Sequence, residues 1–339
     1  MNTTDLTRST PEQIVRVVQE QQAGFPIQHE EQVRAIIQAV RQGGDRALLE
    51  YTGRFDGVRL EAAQLAVPQQ EIERAARGFG RDLYAALETA VMRVRDFHQR
   101  IAPVDWEYTD ELGNRLGQKA THLRRVGIYV PGGTAAYPST LVMTAVPAQA
   151  AGVEEIVVIS PPASFEPPSP LCAALTCLDT PCQVYRAGGV QGIAALAWGT
   201  ETIPKVDKIV GPGSGRVALA KQQLYGQVDI DMVAGPSEVL VITDGSVAPR
   251  ITAADLLAQA EHDQDARAIC VTDNPRVAEE VSGWVDRLAA ESPRRKIAEA
   301  SLRKGGRMYL VSDLERAVEI ANLIAPEHLE IQTADPREL

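Results

Sequence analysis

The spacing of apolar and polar residues divides the chain into two parts near residue 125. In the first part, apolar side chains recur at helical intervals among Ala, Arg, Glu and Leu. The predicted helices cover residues 11–24, 30–42 and 69–100. Thr10 followed by Pro11 marks the start of the first helix, and Gly78 and Gly80 divide the last one. Residues 1–29 are therefore predicted to form an N-terminal helical segment.

From Arg125 onwards, short apolar runs alternate with glycine-containing loops and helical segments. These runs cover residues 155–160, 182–186, 208–210, 268–272, 308–311 and 329–333. Among the helical segments, one is predicted to begin at a cap at Ser139 or Thr140, and a further one covers 314–324. The alternation predicts parallel sheets with helices on both faces. The predicted fold class is α/β, with two Rossmann-like parallel-sheet domains and an N-terminal helical appendage.

The predicted domain division inserts one α/β domain into another. Residues 30–128 plus 230–339 are assigned to the first domain, and residues 129–229 to the second, inserted one. A chain of 339 residues is longer than most domains that are built around a single hydrophobic core. Two packed domains are therefore expected.

Composition and charge narrow the kinds of partner. The chain is 45% hydrophobic and 23% charged, with a formal net charge of -11. Clusters of Lys and Arg, from which nucleic-acid binding gains its affinity, do not occur, so no nucleic-acid partner is expected. No apolar run approaches the length of a membrane span, and the N-terminus has no basic start followed by an apolar block. We therefore expect a cytoplasmic protein without a membrane partner.

The stretch Ile251–Arg267 carries the first candidate for chemistry. Thr252 and Asp255 have the spacing of a capping box, and the residues that follow favour a helix. Gln259 and His262 are three residues apart, so they project from one helical face as two potential metal ligands, with Asp255 one turn earlier. A solvated face of an amphipathic helix gives the same pattern.

Three glycine loops form the second candidate. The segments VPGG, AGG and GPGSG each follow a predicted strand and open a helix. Backbone N–H groups at such a helix start can hold phosphate, but none of the loops has the GxGxxG pattern, and each alone is typical of a tight turn. On neighbouring strands they would line one crevice at the carboxyl edge of the sheet.

The third candidate lies where the last predicted helix meets the last strand. Pro326 ends the helix and can direct Glu327 and His328 into one pocket. A histidine there can act as a base near neutral pH, and a neighbouring glutamate can activate water. Two exposed surface residues give the same pattern, and Ser237 in AGPSE is on its own a turn residue or a helix cap.

Five longer motifs connect these candidates. They are GIYVPGGTAAYPS, VDKIVGPG, DMVAGPSEVLVI, QAEHD and APEHLE, in this order. With them the chain resembles the histidinol dehydrogenases from about Leu49 to its last residue. The resemblance implies the last step of histidine biosynthesis, in which L-histidinol is oxidised through L-histidinaldehyde to L-histidine while two NAD⁺ are reduced. It also implies one Zn²⁺ per site and a homodimer.

The resemblance assigns zinc and substrate contacts residue by residue. Gln259 and His262 match the zinc ligands of the family, and both also border the substrate. Ser237 matches a substrate contact. His328 matches a residue that touches the substrate as well.

The resemblance also assigns acid/base residues and contacts to NAD. Glu327 and His328 match the acid/base pair of the family, and Tyr129 and Gln191 match positions that contact NAD. At the third NAD position the family has an asparagine in a GPGN loop, whereas this chain has Ser214 in GPGSG. Serine offers a shorter side chain with one hydroxyl, so a weaker hold on the cofactor is expected there.

Compared with the family, the sequence is predicted to be truncated at its C-terminal end. Members of the family continue beyond the position of Leu339 for roughly a quarter of their length. That part supplies an Asp zinc ligand and a tail whose His reaches the partner subunit. Gln259 and His262 alone are fewer than the three or four protein ligands that stable zinc sites usually have. The chain is therefore either a fragment of a longer product or unable to complete the site alone. Two alternatives are a related zinc- and NAD-dependent dehydrogenase of another alcohol and a truncated, non-catalytic NAD-binding chain.

Overall fold

A computed structural model describes residues 1–21, 29–132, 137–233 and 237–339. The chain forms two compact units. The terminal unit combines Met1–Phe25 with Gly235–Leu339, and the central unit is Pro26–Ala234. Both units are α/β and each contains a five-stranded parallel sheet, so the predicted fold class is confirmed.

The chain begins with strand β1 (Asn2–Asp5) and helix α1 (Pro11–Gln21). The hydroxyl of Thr10 accepts a hydrogen bond from the N–H of Gln13 at 3.4 Å, and the Gln13 side chain accepts one from the N–H of Thr10 at 2.9 Å. This reciprocal pair caps α1 and confirms its predicted start. Strand β1 was not predicted, and the expected end of the helix at residues 22–24 lies outside the described residues.

The central unit contains most of the predicted helices and strands. Its helices are α2 (Glu30–Phe55), α3 (Gln69–Ala76), α4 (Arg81–Arg100), α5 (Pro138–Ala150), α6 (Pro170–Thr176), α7 (Gly189–Trp198) and α8 (Gly215–Leu224). Its strands are β2 (Trp106–Thr109), β3 (Arg115–Gln118), β4 (Arg125–Tyr129), β5 (Glu155–Ser160), β6 (Gln183–Arg186), β7 (Lys208–Val210) and β8 (Asp229–Ile230). Strands β2 and β3 form a separate antiparallel pair.

The order of the central parallel sheet is β6-β5-β4-β7-β8. The chain moves from β4 to β5 and β6 in one direction and then crosses to β7 on the other side of β4. The strand order therefore reverses between β4 and β7. In open α/β sheets, ligands bind beyond the carboxyl ends of the strands at such a reversal.

Two hydrophobic cores cover the two faces of this sheet. Val157 and Ile159 of β5 lie in the core that includes residues of α2, α7 and α8, whereas Ile156 and Val158 lie in the core that includes residues of α3, α4, α5 and α6. Alternate residues of a strand point to opposite faces, and here both faces are apolar because both are covered by helices.

The central cores correct the predicted domain division. Residues 30–128 were assigned to one domain with 230–339, but α2, α3 and α4 pack onto the sheet of the central unit. The apolar faces of these helices are buried against β5 and its neighbours, which places residues 30–128 with 129–229. The spacing of apolar residues predicted the helices, but it does not show which sheet each helix covers.

The terminal unit completes its sheet from the second half of the chain. Its further elements are β9 (Glu238–Thr243), α9 (Pro249–Ala260), β10 (Arg267–Thr272), α10 (Pro275–Glu291), α11 (Arg295–Gly305), β11 (Arg307–Leu310), α12 (Leu314–Ile324) and β12 (His328–Gln332). The sheet order is β1-β11-β10-β9-β12. The chain moves from β9 to β10 and β11 in one direction and then crosses to β12 on the other side of β9. The strand order therefore reverses at β9.

Two helix boundaries differ from the prediction. Helix α9 begins at Pro249 and ends at Ala260, whereas a helix from Ile251 to Arg267 was predicted. Thr252 is not its cap, since its buried hydroxyl donates to Gln332 Oε1 at 2.6 Å. The break predicted at the glycine pair of α2 is present: Gly44 is non-helical (φ 53°, ψ -136°), so α2 consists of two helical segments that meet at a kink.

Among the described helices, none has the length and apolar character needed to cross a membrane.

Candidate functional site

Tyr129, predicted to contact NAD, is the last residue of β4 and is buried. Burial raises the pKa of its phenol, and a hydrogen bond from the Gly189 backbone opposes that shift. A Cβ added at Gly213 would lie 3.2 Å from Tyr129 Cε1. The ring therefore contacts the glycine loops that follow β6 and β7.

Gln191, the second predicted NAD contact, lies in the first turn of α7 and is 1% exposed. Its Oε1 atom is buried and has no hydrogen-bond partner among the described residues. A buried amide oxygen without a donor costs roughly 1–3 kcal/mol. The amide therefore fits a bound group that donates a hydrogen bond.

Ser214, the third predicted NAD contact, is the residue before α8 and is exposed. Its side chain makes no capping hydrogen bond, so the hydroxyl is not used to satisfy the helix. The first N–H groups of a helix have no partners within it and favour an anion. The loop Gly211–Ser214 thus presents a hydroxyl beside a helix start.

The three loops share the carboxyl edge of the central sheet, as predicted, because β4, β6 and β7 run parallel. They are not all on neighbouring strands, since β5 separates β6 from β4. Tyr129 and Gly211 stand on the two sides of the strand-order reversal between β4 and β7. Residues 133–136 of the first loop lie outside the described residues. The other parts lie at the edge where open α/β sheets bind ligands.

Asp56 is a neighbour of Tyr129 that the sequence did not single out. It follows α2, its Oδ2 atom is buried, and that atom has no hydrogen-bond partner among the described residues. Burial raises the pKa of Asp56, and the charge of its carboxylate contributes to the raised pKa of Tyr129. The sequence RFDG is typical of a turn after a helix, so the pattern gave no sign of this position.

The candidate residues of the terminal unit lie at the amino edge of its sheet. Ser237 directly precedes β9, and Glu327 and His328 lie at the start of β12, where His328 is in register with Val239. Helix α9 returns the chain to the start of β10, so its last turn brings Gln259 to the same edge. The candidate residues thus lie at the carboxyl edge of the sheet in the central unit and at the amino edge of the sheet in the terminal unit.

Gln259 and His262, the predicted zinc ligands, lie on either side of the end of α9. Gln259 is 9% exposed, and its Nε2 atom is buried without a hydrogen-bond partner among the described residues. Because the nitrogen and oxygen of an amide are hard to distinguish, either atom can occupy that position. His262 is exposed in the following turn, where its N–H bonds to the Gln259 carbonyl at 3.1 Å.

The third potential ligand, Asp255, is engaged elsewhere. Its Oδ2 atom accepts a hydrogen bond from Gln332 Nε2 at 2.7 Å. Glu330 accepts from the same nitrogen at 2.9 Å, and burial followed by the charge of Asp255 raises the pKa of Glu330. Within the described ranges, no group of three or more His, Cys, Asp or Glu side chains is arranged to hold a metal.

Glu327 and His328 form a pair at the start of β12. Helix α12 ends at Ile324, and Ala325 takes a left-handed conformation (φ 48°, ψ 61°) that redirects the chain before Pro326. Glu327 Oε2 accepts a hydrogen bond from the N–H of Glu238 at 3.3 Å, and Glu327 Oε1 lies 3.9 Å from His328 Nε2. Both side chains are more than half exposed, so a carboxylate and an imidazole stand together where a ligand and water can reach them.

Ser237 is held at this edge by its backbone. Its carbonyl accepts a hydrogen bond from the N–H of Arg267 at 3.0 Å, and the Arg267 side chain pairs with Glu238 at 2.9 Å. Residues 234–236 of the same motif lie outside the described residues. The backbone that carries the Ser237 hydroxyl is thus held at the start of β9 by its contacts with β10.

Comparison with known proteins identifies the family. The sequence model of the histidinol dehydrogenases matches residues 19–339. The chain belongs to the histidinol dehydrogenase family. The match begins earlier than the predicted start near Leu49, so it also includes α2 and part of α1.

Individual relatives agree with this assignment. The chain is 50% identical to a histidinol dehydrogenase of Syntrophotalea carbinolica over 309 residues, which are 91% of this chain and 71% of that protein. It is 47% identical to the enzyme of Aquifex aeolicus, with 92% and 72% covered. A crystal structure of histidinol dehydrogenase from Elizabethkingia anophelis superimposes with a TM-score of 0.89 at 31% identity, covering 100% of this chain and 77% of that one.

Family membership confirms the predicted enzyme class and activity. The chain is an oxidoreductase of histidine biosynthesis, and its reaction is the oxidation of L-histidinol to L-histidine that forms the last step. The assignment supports this reaction over the alternatives of another alcohol and of a non-catalytic chain.

Proposed function

We propose that the central unit holds NAD and that the terminal unit holds histidinol and zinc. The observation that carries this proposal is the pair of buried amides, Gln191 and Gln259, each with one polar atom that lacks a partner among the described residues. One lies at the carboxyl edge of the central sheet and the other at the amino edge of the terminal sheet. Buried amides usually find partners, so each fits a bound group.

Tyr129, Gln191 and Ser214 would hold NAD. The Gln191 oxygen would accept a hydrogen bond, the Tyr129 ring would offer a buried surface, and Ser214 would offer its hydroxyl beside the start of α8. NAD⁺, when bound, supplies the acceptor for the hydride in each of the two oxidations. Ser214 replaces the asparagine of the family, so we expect a weaker contact at this position.

Gln259 and His262 would supply two zinc ligands. Amide oxygen and imidazole nitrogen are acceptable zinc donors, and further ligands are needed because zinc sites usually have three or four from the protein. The substrate amine and imidazole are suitable further ligands. Zinc, when bound, supplies a charge that orients the substrate.

Glu327 and His328 would move the protons. An imidazole nitrogen of His328 accepts the hydroxyl proton of histidinol in the first oxidation. The Glu327 carboxylate then accepts a proton from the water that adds to the aldehyde before the second oxidation. Ser237, anchored between β9 and β10, would hydrogen-bond the substrate.

Substitution of the acid/base pair tests this assignment. His328→Ala is expected to lower kcat by about 10²–10⁴-fold, the usual contribution of a general base, while the Kd for NADH stays unchanged. Glu327→Gln is expected to slow the oxidation of added histidinaldehyde more than that of histidinol. The exposed Glu338→Gln substitution serves as the control. A His328→Ala variant with the original kcat removes His328 from the mechanism.

Zinc content tests the metal assignment separately. Gln259→Ala is expected to lower the zinc retained per chain at a fixed free zinc concentration by about tenfold or more, since loss of one ligand removes well over 1.4 kcal/mol of binding. Gln264→Ala, an exposed amide two residues after His262, is the matched control and should retain zinc. Equal zinc content in the two variants would exclude Gln259 as a ligand.

We also propose a cytoplasmic homodimer that binds L-histidinol and neither nucleic acid nor membrane. The support is the resemblance to the family for the dimer and the substrate, and the net charge of -11 for the absence of nucleic acid. Sedimentation equilibrium tests the dimer, and cell fractionation tests the location.

A further inference from the structure

Gly211, the first residue after β7, has both of its backbone polar groups held by side chains. Its N–H donates to Asp231 Oδ2 at 2.8 Å, and its carbonyl accepts from Lys221 Nζ at 3.0 Å. A Cβ at this position would lie 2.2 Å from the Tyr129 carbonyl oxygen, and φ is +115°. Only glycine tolerates that conformation and that approach without strain. The loop is therefore fixed against β4 on one side and against two charged residues on the other.

Lys221 and Asp231 join three elements of the proposed cofactor site. Lys221 lies on α8, whose first turn follows Ser214, and its side chain is 3% exposed. Its ammonium contacts Asp231 Oδ1, which also accepts a hydrogen bond from the N–H of Met232 at 2.7 Å. Asp231 directly follows β8, the strand next to β7. The pair thus links α8, the loop and the end of β8 through Gly211.

This ion pair joins a buried lysine to a partly exposed aspartate, and such a pair is poor evidence for a contribution to stability alone. The cost of removing the Lys221 ammonium from water offsets much of its attraction to Asp231, and an apolar residue of similar size often stabilises a fold as well or better. What apolar residues cannot do is hold the N–H and the carbonyl of Gly211 in fixed directions. The pair is therefore better explained by the position of the loop.

We propose that Lys221 and Asp231 are positioning residues for the cofactor: by fixing Gly211 they set the position of Tyr129 relative to Ser214 and the start of α8. The inference rests on the proposed NAD contacts of the central unit. It predicts that the pair governs cofactor affinity although neither residue touches the cofactor itself.

Lys221→Met tests the inference against a control ion pair on β7 and β8, the strands that precede Gly211 and Asp231. The control is Lys208→Met, which removes the Lys208–Asp229 ion pair (2.8 Å) at the amino ends of β7 and β8, away from the loop. The measurements are the Kd for NADH by fluorescence titration, the KM for histidinol and the thermal midpoint. For Lys221→Met we expect a Kd raised about tenfold or more with a histidinol KM within about twofold, and for Lys208→Met no change in either.

A double variant separates positioning from stability. Lys221→Met/Asp231→Leu replaces the pair by apolar side chains, so its thermal midpoint should recover towards that of the unsubstituted chain while its NADH Kd stays raised. Recovery of both quantities would overturn the inference, as would a Lys221→Met Kd no higher than that of Lys208→Met.

Ser214→Ala in the same titration distinguishes this inference from the proposed contact. If Ser214→Ala leaves the Kd unchanged while Lys221→Met raises it, the role proposed for Ser214 fails and the positioning role stands. If Ser214→Ala raises the Kd while Lys221→Met leaves it unchanged, the positioning role alone fails.

Discussion

Gln191 and Gln259 are the residues on which the proposed cofactor and zinc sites depend most. Both are buried amides, and each keeps one polar atom without a partner among the described residues. Neither feature was visible in the spacing of residues: Gln191 is one glutamine in a helical segment, and Gln259 was singled out because it lies three residues before His262. The resemblance to the family identified both positions, Gln259 within the motif QAEHD and Gln191 outside the five motifs. The structure adds that each side chain keeps a buried polar atom without a hydrogen-bond partner among the described residues.

Glu330 shows why polar residues beside the candidates were missed. It lies between His328 and Gln332 on one face of β12, and its carboxylate shares the Gln332 amide with Asp255 of α9. Alternation of His, Glu and Gln along a strand indicates a polar face. Alternation does not show that Asp255, 75 positions earlier in the sequence, faces the same amide, because that proximity is created by the packing of α9 on the sheet.

The raised pKa of Glu330 predicts a pH dependence of stability. The folded chain binds the Glu330 proton more tightly than the unfolded chain, because burial and Asp255 disfavour the carboxylate. This contribution is fully present below the usual pKa of 4.5 and is lost as pH rises through the higher pKa of the folded state. Glu330→Gln does not titrate, so its free energy of unfolding should gain on that of the unsubstituted chain as pH rises from 4 to 7.

Denaturant unfolding at several pH values measures this difference. The exposed Glu338→Gln substitution is the control and should show no such change with pH. If the difference in free energy of unfolding between Glu330→Gln and the unsubstituted chain stays constant from pH 4 to 7, folding does not raise the pKa of Glu330.

The first and last residues of some buried elements were predicted correctly. Strands β5 and β7 and helix α12 begin and end at the predicted residues. The buried parallel strands are continuous apolar runs and are easily recognised. Strand β1 was missed because its sequence, NTTD, is polar, and it lies at the sheet edge with mostly exposed side chains. Helix α11 and the pair β2–β3 were missed as well.

The predicted start of α5 was also wrong. A cap was expected at Ser139 or Thr140, but the helix begins at Pro138 and Tyr137 precedes it. Proline is favoured at the first position of a helix, since its missing N–H is not needed there. The same effect placed the start of α9 at Pro249, before the predicted capping box.

Packing of α7 on β4 gives a prediction at the level of elements. Gly127 of β4 has no side chain where Leu196 of α7 approaches; an added Cβ would lie 2.8 Å from Leu196 Cδ1. Gly127→Ala should cost about 1–3 kcal/mol by overpacking, and Leu196→Ala about 2–5 kcal/mol by leaving a cavity. In the double variant the methyl group introduced at position 127 can occupy the space that Leu196 leaves. Its loss of unfolding free energy should therefore be smaller than the sum of the two single losses by about 0.5–3 kcal/mol.

Urea denaturation of the four proteins in this cycle gives the coupling. Gly127→Ala combined with Ile72→Ala, a buried residue of the core on the other face of the sheet, provides the comparison and should be additive. Additivity in the Gly127–Leu196 cycle would mean that α7 does not pack on β4 as described.

At the scale of the whole molecule, the chain consists of two parallel-sheet units whose candidate residues lie at different edges. The central unit places Tyr129 and Ser214 at the carboxyl edge, where α/β sheets usually bind ligands. The terminal unit places Ser237, Gln259 and His328 at the amino edge. Periodicity predicted two such sheets, but it could not assign residues 30–128 to the right one, because an amphipathic helix looks the same whichever sheet it covers.

The stoichiometry of NADH shows whether the chain carries out both oxidations. With L-histidinol limiting and NAD⁺ and Zn²⁺ in excess, four-electron oxidation predicts two NADH for each histidinol consumed and histidine as the product, since each hydride carries two electrons. The same measurement with His328→Ala should show the rate fall while any product formed keeps this ratio. One NADH per histidinol with histidinaldehyde accumulating, or consumption of another alcohol in preference to histidinol, would contradict the account.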